Sequence, residues 1–427
     1  MTLAIFLTVL VFTIMIGVPV AFALLSCGAV LMLHLDFFRP GAMATSLVAG
    51  ADNFSLMAIP FFILAGEMMN AGGLSQRIVD LPLKLIGHKK GGLGYVAIIA
   101  TVIMASLSGS AVADTAAVAA ILIPMMVAAG YPRVRSAGLI AAGGIIAPII
   151  PPSMPFIIFG VTAQVSIKDL FMGGIVPGLM MGGGLMIVWY FISQRMDLEL
   201  QPKATREELI KTLLSSAWAL ALPVIIIGGF RIGVFTATEA GAVAAVYSMF
   251  VGLFVYREMG LKSFYRVLVG SVGTIGIVTF LVAAANVSGV LMARARLPET
   301  VASLLSPLVG QPTLLIVVIM LFCFFVGMVM DLAPAVLILV PVIMPLIKQA
   351  GINPAYFGIL FIMNLCIGLL TPPVGNVLNV ITGVAKIRFD EAVRGVAPFI
   401  IAHVVVLAIL VAWPDLVIVP MNFFLGR

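Results

Sequence analysis

Runs of about 20 apolar residues with almost no charge inside them recur from one end of this chain to the other, and that length is what an α-helix needs to cross a bilayer. Hydrocarbon offers no water to satisfy backbone N–H and C=O groups, so only helices and closed barrels span it. A barrel would appear as short segments of alternating polarity. The runs here are continuous, which makes the chain an all-α polytopic membrane protein. With 63% hydrophobic and 9% charged residues it does not have the make-up of a soluble domain. The formal net charge of +6 comes from basic residues in short loops between spans, where it sets orientation instead of attracting nucleic acid. The expected partner is therefore the lipid bilayer, with no nucleic acid. The opening "MTLAIFLTVLVFTIMIGVPVAFALLSCGAVLML" has no basic leader and no small-residue cleavage site, and is expected to form the first span. Cys27, Cys323 and Cys366 lie in apolar surroundings at no metal-ligand spacing, which points to helix packing.

One apolar stretch, "GGIIAPIIPPSMPFIIFG" at 143–160, carries Pro148, Pro151 and Pro152 close together. Each proline deletes a backbone donor and crowds the carbonyl one turn back, so a helix must break there. A polar stretch from Arg195 to Lys211 divides the chain into halves of similar size. Shifting the sequence by 221 residues aligns Pro124 with Pro345, Pro151 and Pro152 with Pro372 and Pro373, Asp169 with Asp390, and Pro177 with Pro398. The halves therefore read as repeats. Basic loops at Arg195–Lys211 and at Arg257–Arg266 fix two cytoplasmic points, and counting spans outward from them places the two halves in opposite orientations. Arg294 and Arg296 would then face outside, against the trend. Residues 93–129 begin and end on the cytoplasmic side and are too few for two full spans, so they suit a re-entrant hairpin turning near 106–114. The expected organisation is a first inverted repeat at 1–194, with its hairpin at about 93–129 and its broken helix at about 136–164. A cytoplasmic linker follows at 195–212, and then a second repeat at 213–427, with a hairpin at about 313–349 turning near 326–334 and a broken helix at about 355–384.

Unwound backbone at membrane depth is tolerated where it is buried or lines a wet cavity, and there its carbonyls can hold a small cation. Ser106, Ser108 and Ser110 at the first tip and Thr371 at the second break add hydroxyl oxygens, a donor set suited to sodium; small-residue helix packing is the alternative for the serines. Asp114 and Asp331 are acids deep in apolar sequence, and two roles are open for each: a proton relay or a helix cap at the tip. Glu239 in "FTATEAGA" is explained by a helix start. His34, His88 and His403 are dispersed near span ends and suggest no site. Asn376 and Asn379 stand one turn apart directly after the second break, where their amides can reach a carboxylate or hydroxyls, or alternatively bond another helix. An enzyme would need a nucleophile with its base or a metal triad, and none is found. An anion channel would need a continuous polar lining and leaves the paired breaks without a purpose. A proton-coupled anion transporter using Asp114 and Asp331 is the nearer rival.

"SLSGSAVADTAAV", "GGIIAPIIPPS", "GLLTPPVGNVLNV" and "AIPFFILAGEMMNAGGLSQRIVDL" resemble the large membrane subunit of tripartite ATP-independent periplasmic (TRAP) transporters, the DctM-like family, and the resemblance runs along essentially the whole chain. It implies a secondary transporter of the bacterial inner membrane with an elevator mechanism, coupled to two sodium ions and without an organic cofactor. It also implies a small four-helix membrane subunit, here a separate chain, and a periplasmic binding protein that delivers an organic-acid substrate. Carried over, one sodium site falls on Ser108, Ala147, Ile150 and Pro152, and the other on Gly327, Gly368, Thr371 and Val374. Ala105 replaces a serine found in some members, and Ala147 a glycine. The substrate would lie between the tips, near Ser110, Asp114, Ser153, Asn376 and Asn379. The wording of the motifs is nearest to members that carry sugar acids such as diketogulonate, as opposed to four-carbon dicarboxylates.

Overall fold

Proline and glycine punctuation decides where these apolar runs stop being helix. The computed structural model describes residues 2–196, 198 and 202–427, leaving aside the side chains of Leu107, Ser108 and Leu304. Among the described residues there are helices and no strands, and eight helices are long and apolar enough to cross a membrane.

The N-terminal run departs from the single span expected of it. It forms two helices, Thr2–Met15 and Val20–His34, packed on each other. Between them Gly17 adopts φ +85° and Pro19 lacks an N–H, so the i to i−4 ladder ends inside an unbroken apolar run. At the other end of the scale, Leu261–Arg294 is one helix of 34 residues. Its terminal Arg294, anomalous by loop charge, places its guanidinium 3.6 Å from the ring centroid of Phe37, while Arg296 lies 4.0 Å from Glu299. The polar stretch between the halves is only partly a loop. Thr205 and Glu208 close a reciprocal capping box that starts helix Arg206–Ile232 within it. Thr236 and Glu239 form a second such box, the helix start anticipated for Glu239.

Two groups of helices emerge, and each draws on both halves of the sequence. In the first, Val20–His34, Pro40–Ala51 and Ala58–Ala71 pack on Leu261–Arg294, while Leu74–Ile86 packs on Arg206–Ile232 and Ala58–Ala71 on Ala237–Phe250. The second contains two hairpins, Gly92–Ser108 with Ala111–Ala128 and Pro312–Gly327 with Leu332–Gln349. It also contains two interrupted helices. One is Arg133–Gly144 followed by Met154–Ala163, and the other Pro354–Gly368 followed by Asn376–Ala385.

The same pairing occurs twice in that second group. Ala111–Ala128 packs on Arg133–Gly144 of its own half and on Asn376–Ala385 of the other. Correspondingly, Pro312–Gly327 packs on Pro354–Gly368, and Leu332–Gln349 on Met154–Ala163. Residues Ser136–Gly144 and Ala355–Gly368 are buried throughout, so the interrupted helices run through the protein interior. Their exposed peptide groups thus meet protein and not lipid, which is the condition for tolerating them at membrane depth.

Candidate functional site

Each interrupted helix is met by a hairpin tip at its break. In the first half, helix Gly92–Ser108 ends in Gly109 at φ +63°, and Ser110 caps the returning helix by accepting from the Ala113 amide at 3.3 Å. A Cβ at Gly109 would come within 2.7 Å of the Pro152 carbonyl oxygen. Only glycine allows both the left-handed turn and this approach of tip to break. The break itself runs from Ile145 to Ser153 and includes a cis Pro151–Pro152 bond. Ser153 closes it: its hydroxyl donates to the Pro148 carbonyl and accepts from the Phe156 amide at 3.3 Å, starting helix Met154–Ala163.

Of the residues expected around a first cation, Ala147 and Ile150 are 1% and 6% exposed, and Pro152 is buried beneath the tip. The carbonyl oxygens of Ala147, Ile150 and Pro152 accept no hydrogen bond from another described residue. The side chain of Ser108 lies outside the described residues; its backbone ends the helix beside Gly109. Ser106 instead donates back to the Ile103 carbonyl at 2.6 Å, within its own helix. Asp114 is 1% exposed in the first turn of Ala111–Ala128, where the cap position belongs to Ser110.

At the second break the fit is closer still. A Cβ on Gly368 would lie 2.5 Å from the Gly327 carbonyl carbon, so the second hairpin crosses Pro354–Gly368 backbone against backbone. The Met328 carbonyl then accepts from the amides of Val374 and Gly375, both at 3.3 Å, stitching tip to break. No residue type advertises a backbone carbonyl, so Met328 had no signal in the sequence. The Gly327 and Thr371 carbonyls accept nothing from other described residues, Gly368 accepts from the Thr371 amide at 2.9 Å, and Val374 accepts from Asn379 Nδ2 at 3.0 Å. The Thr371 hydroxyl donates to the Ile367 carbonyl at 3.0 Å, leaving its lone pairs directed away from that bond. Asp331 takes the N-cap position of Leu332–Gln349 without a side-chain cap bond, and it is exposed.

Asn376 is half-buried at the start of Asn376–Ala385 and Asn379 is exposed one turn on. Since Asn376–Ala385 packs on Ala111–Ala128, these amides and the Ser110–Asp114 segment belong to one region. Ser153 is 0% exposed with its hydroxyl engaged at both ends, so it shapes the break from inside. Two buried polar side chains stand out that the sequence did not single out. Thr115 fills the space over Gly144, where any Cβ would strike its hydroxyl. His403, expected near a span end, instead lies inside helix Phe389–Ala412, fully buried, with Nε2 3.0 Å from the Ala142 carbonyl.

Among the described residues no group of three or more His, Cys, Asp or Glu could hold a metal. The oxygens gathered at the breaks are neutral carbonyls and hydroxyls, the ligand class of a hard monovalent or divalent cation. The arrangement offers cation binding, amide hydrogen bonding and no nucleophile–base pair.

The family described as "Tripartite ATP-independent periplasmic transporter, DctM component" matches residues 6–416. The 2,3-diketo-L-gulonate TRAP transporter large permease protein YiaN of Escherichia coli (strain K12) is 60% identical over 423 residues, 99% of this chain and 100% of the relative. The sialic acid TRAP transporter large permease protein SiaM of Vibrio cholerae is 37% identical, covering 96% of each chain. In fold, the chain is similar to the Alcanivorax borkumensis YdaH transporter, with a TM-score of 0.65 at 14% identity over 90% of this chain and 91% of that one.

Proposed function

From the premise that the chain belongs to the DctM family of TRAP transporters, whose members are permeases and not enzymes, we propose that it is the large membrane subunit of a sodium-coupled importer of a sugar acid. The acid is delivered by a periplasmic binding protein, and a small membrane subunit completes the complex in the bacterial inner membrane. Residues 1–194 and 213–427 act as two inverted repeats joined through 195–212, and the hairpins with the interrupted helices move together as an elevator.

What carries the proposal is the meeting of each hairpin tip with a break whose carbonyls have no partner among the described residues: Ala147, Ile150 and Pro152 at one, Gly327 and Thr371 at the other. A buried carbonyl without a partner costs on the order of 1–3 kcal/mol. Two clusters of them at repeat-related positions are best accounted for by cations that supply the missing interaction. Sodium at Ser108, Ala147, Ile150 and Pro152, and a second sodium at Gly327, Gly368, Thr371 and Val374, complete the two tips. Carboxylate and hydroxyls of the acid are then held by Ser110, Asn376 and Asn379, with Asp114 behind the tip and Ser153 fixing the shape of the break. Sugar acid is favoured over four-carbon dicarboxylate by the 60% identity with the diketogulonate permease.

Proteoliposomes holding the chain with its small subunit, supplied with the binding protein and 2,3-diketo-L-gulonate, give the test when sodium and proton gradients are imposed separately. Uptake should follow the sodium gradient. Uptake driven by protons in the absence of sodium would transfer the coupling to Asp114 and Asp331.

A further inference from the structure

The surface of the first hairpin is unlike that of a lipid-facing helix. Large apolar side chains are exposed all along the long spans, for example Val269, Val272 and Ile277, and on Pro312–Gly327 of the second hairpin at Leu321, Phe322 and Phe325. Between Leu85 and Leu179, among the described residues, no large hydrophobic side chain is exposed. The exposed positions of Ala111–Ala128 are instead Ala113, Ala120, Pro124 and Ala128. Along Asn376–Ala385, which packs on that helix, Asn376, Val380 and Val384 follow one another at a spacing of four, all half-buried, and Val384 lines a cleft with Ala120, Pro124 and Ala128. We infer that the contact between the two helices, with alanine and proline at the exposed positions of one and this half-buried row on the other, is a seam leading from Ser110 and Asn376 toward the other end of the pair.

That end holds a cleft of about 390 Å³ lined by Ala120, Pro124, Ala128, Val384, Arg133 and Lys386, among others. Its size falls within the roughly 300–1,000 Å³ of small-molecule sites. Two cations border it. Arg133 is exposed and makes a single hydrogen bond, at 3.5 Å, to the Ala385 carbonyl, and Lys386 pairs with no described residue. Nearby Arg388 and Arg394, by contrast, are already paired with Asp390 and Glu391.

We propose that Arg133 and Lys386 form a cytoplasmic station for the carboxylate of the outgoing acid, reached along the seam from the central site; the proposal rests on the transporter assignment above. Two cations at the end of an otherwise apolar passage give the departing carboxylate a partner as it leaves the amides, and bulk water then competes it away. The same pair could take the phosphate of an anionic phospholipid. The small, non-bulky face beside it favours the carboxylate, because a lipid-exposed face carries the large apolar side chains seen elsewhere on this chain.

The test uses the complete transporter in proteoliposomes with 2,3-diketo-L-gulonate as probe, comparing wild type with Arg133→Gln/Lys386→Gln and Arg133→Lys/Lys386→Arg. The neutral pair should lower the maximal uptake rate about fivefold. It should also raise, by a similar factor, the internal acid concentration that inhibits uptake, with half-saturation for external sodium unchanged. The charge-keeping pair should restore both. Lys386→Gln alone, which breaks no side-chain bond to a described residue, keeps the test valid should the double variant fail to reach the membrane, and should show the same direction. An unchanged rate and unchanged internal inhibition would overturn the proposal. So would a defect that disappears in vesicles of phosphatidylcholine free of anionic lipid, which would assign the cations to a lipid phosphate. Absence of wild-type uptake would remove the transporter assignment itself, and this station with it.

Discussion

Thr371 and Asn376 stand only five residues apart, yet they should fail in different ways. Thr371 places its hydroxyl against the Ile367 carbonyl within the second break, beside the Gly327 carbonyl and its own, which have no partner among the described residues. Thr371→Ala should raise the sodium concentration for half-maximal uptake by about tenfold, the weight of one lost oxygen ligand at roughly 1.4 kcal/mol. Membrane abundance, read by quantitative immunoblot, should change much less; an equal fall in both would make Thr371 a folding residue. Asn376 makes no side-chain hydrogen bond to another described residue and sits where the seam opens toward Ser110. Asn376→Leu should therefore raise half-saturation for the acid about tenfold and leave that for sodium in place. Altered sodium dependence with normal acid recognition would refute the assignment. Thr371 and Asn376 draw notice in the sequence because a hydroxyl and an amide stand out in apolar surroundings. Met328, which bridges tip and break through its carbonyl, does not, since every residue carries that group.

Among the elements, the crossing of Pro312–Gly327 over Pro354–Gly368 is a backbone-against-backbone fit on which the second break depends. Gly368→Ala adds one methyl facing the Gly327 backbone at 2.5 Å, where no flexible side chain can yield. Overpacking of that kind costs about 1–3 kcal/mol, and it should lower the melting temperature of the detergent-purified chain and weaken sodium-dependent uptake. Gly383→Ala is the matched control: nothing lies within 4 Å of its added methyl, and in the helix Asn376–Ala385 alanine is favoured by about 0.5–1 kcal/mol. Equal effects of the two would show that the crossing is not tight. Elements of this kind were readable to different extents. Both helix breaks follow from paired prolines, and the hairpin turns fall at Gly109–Ser110 and Met328–Asp331, inside the stretches where length and loop charge placed them. The N-terminal pair of helices was hidden, because Gly17 and Pro19 are the only interruption in a run whose hydrophobicity never drops. The deep burial of His403 was hidden as well, since what covers it is Arg133–Gly144, a segment distant in sequence.

For the molecule as a whole, the two helix groups imply a division of labour that can be arrested. Leu261–Arg294 belongs to the group without breaks and Met154–Ala163 to the group with them. Between them lies a cavity of about 470 Å³ lined by Thr162 and Val290 among others, with Asn53 and Asn286 at its wall. If the hairpins and interrupted helices slide as one body past the long helix, any tether across that cavity must stop the cycle without touching either proposed cation site. The native cysteines do not interfere, because Cys27, Cys323 and Cys366 are all buried. Cysteines introduced at Thr162 and Val290 and joined by a bifunctional maleimide should abolish uptake in proportion to the fraction cross-linked, as scored by the gel shift of a protease-nicked chain. Sodium should still raise the melting temperature of the cross-linked protein, because a ligand that binds only the folded state adds RT ln(1 + [L]/Kd) of stability whether or not the two groups can move. Retained uptake at complete cross-linking would rule out rigid-body sliding and leave local opening of the tips as the means of access. Loss of both uptake and the sodium shift would instead mean that the tether reaches the breaks, and that the two groups are not mechanically separate.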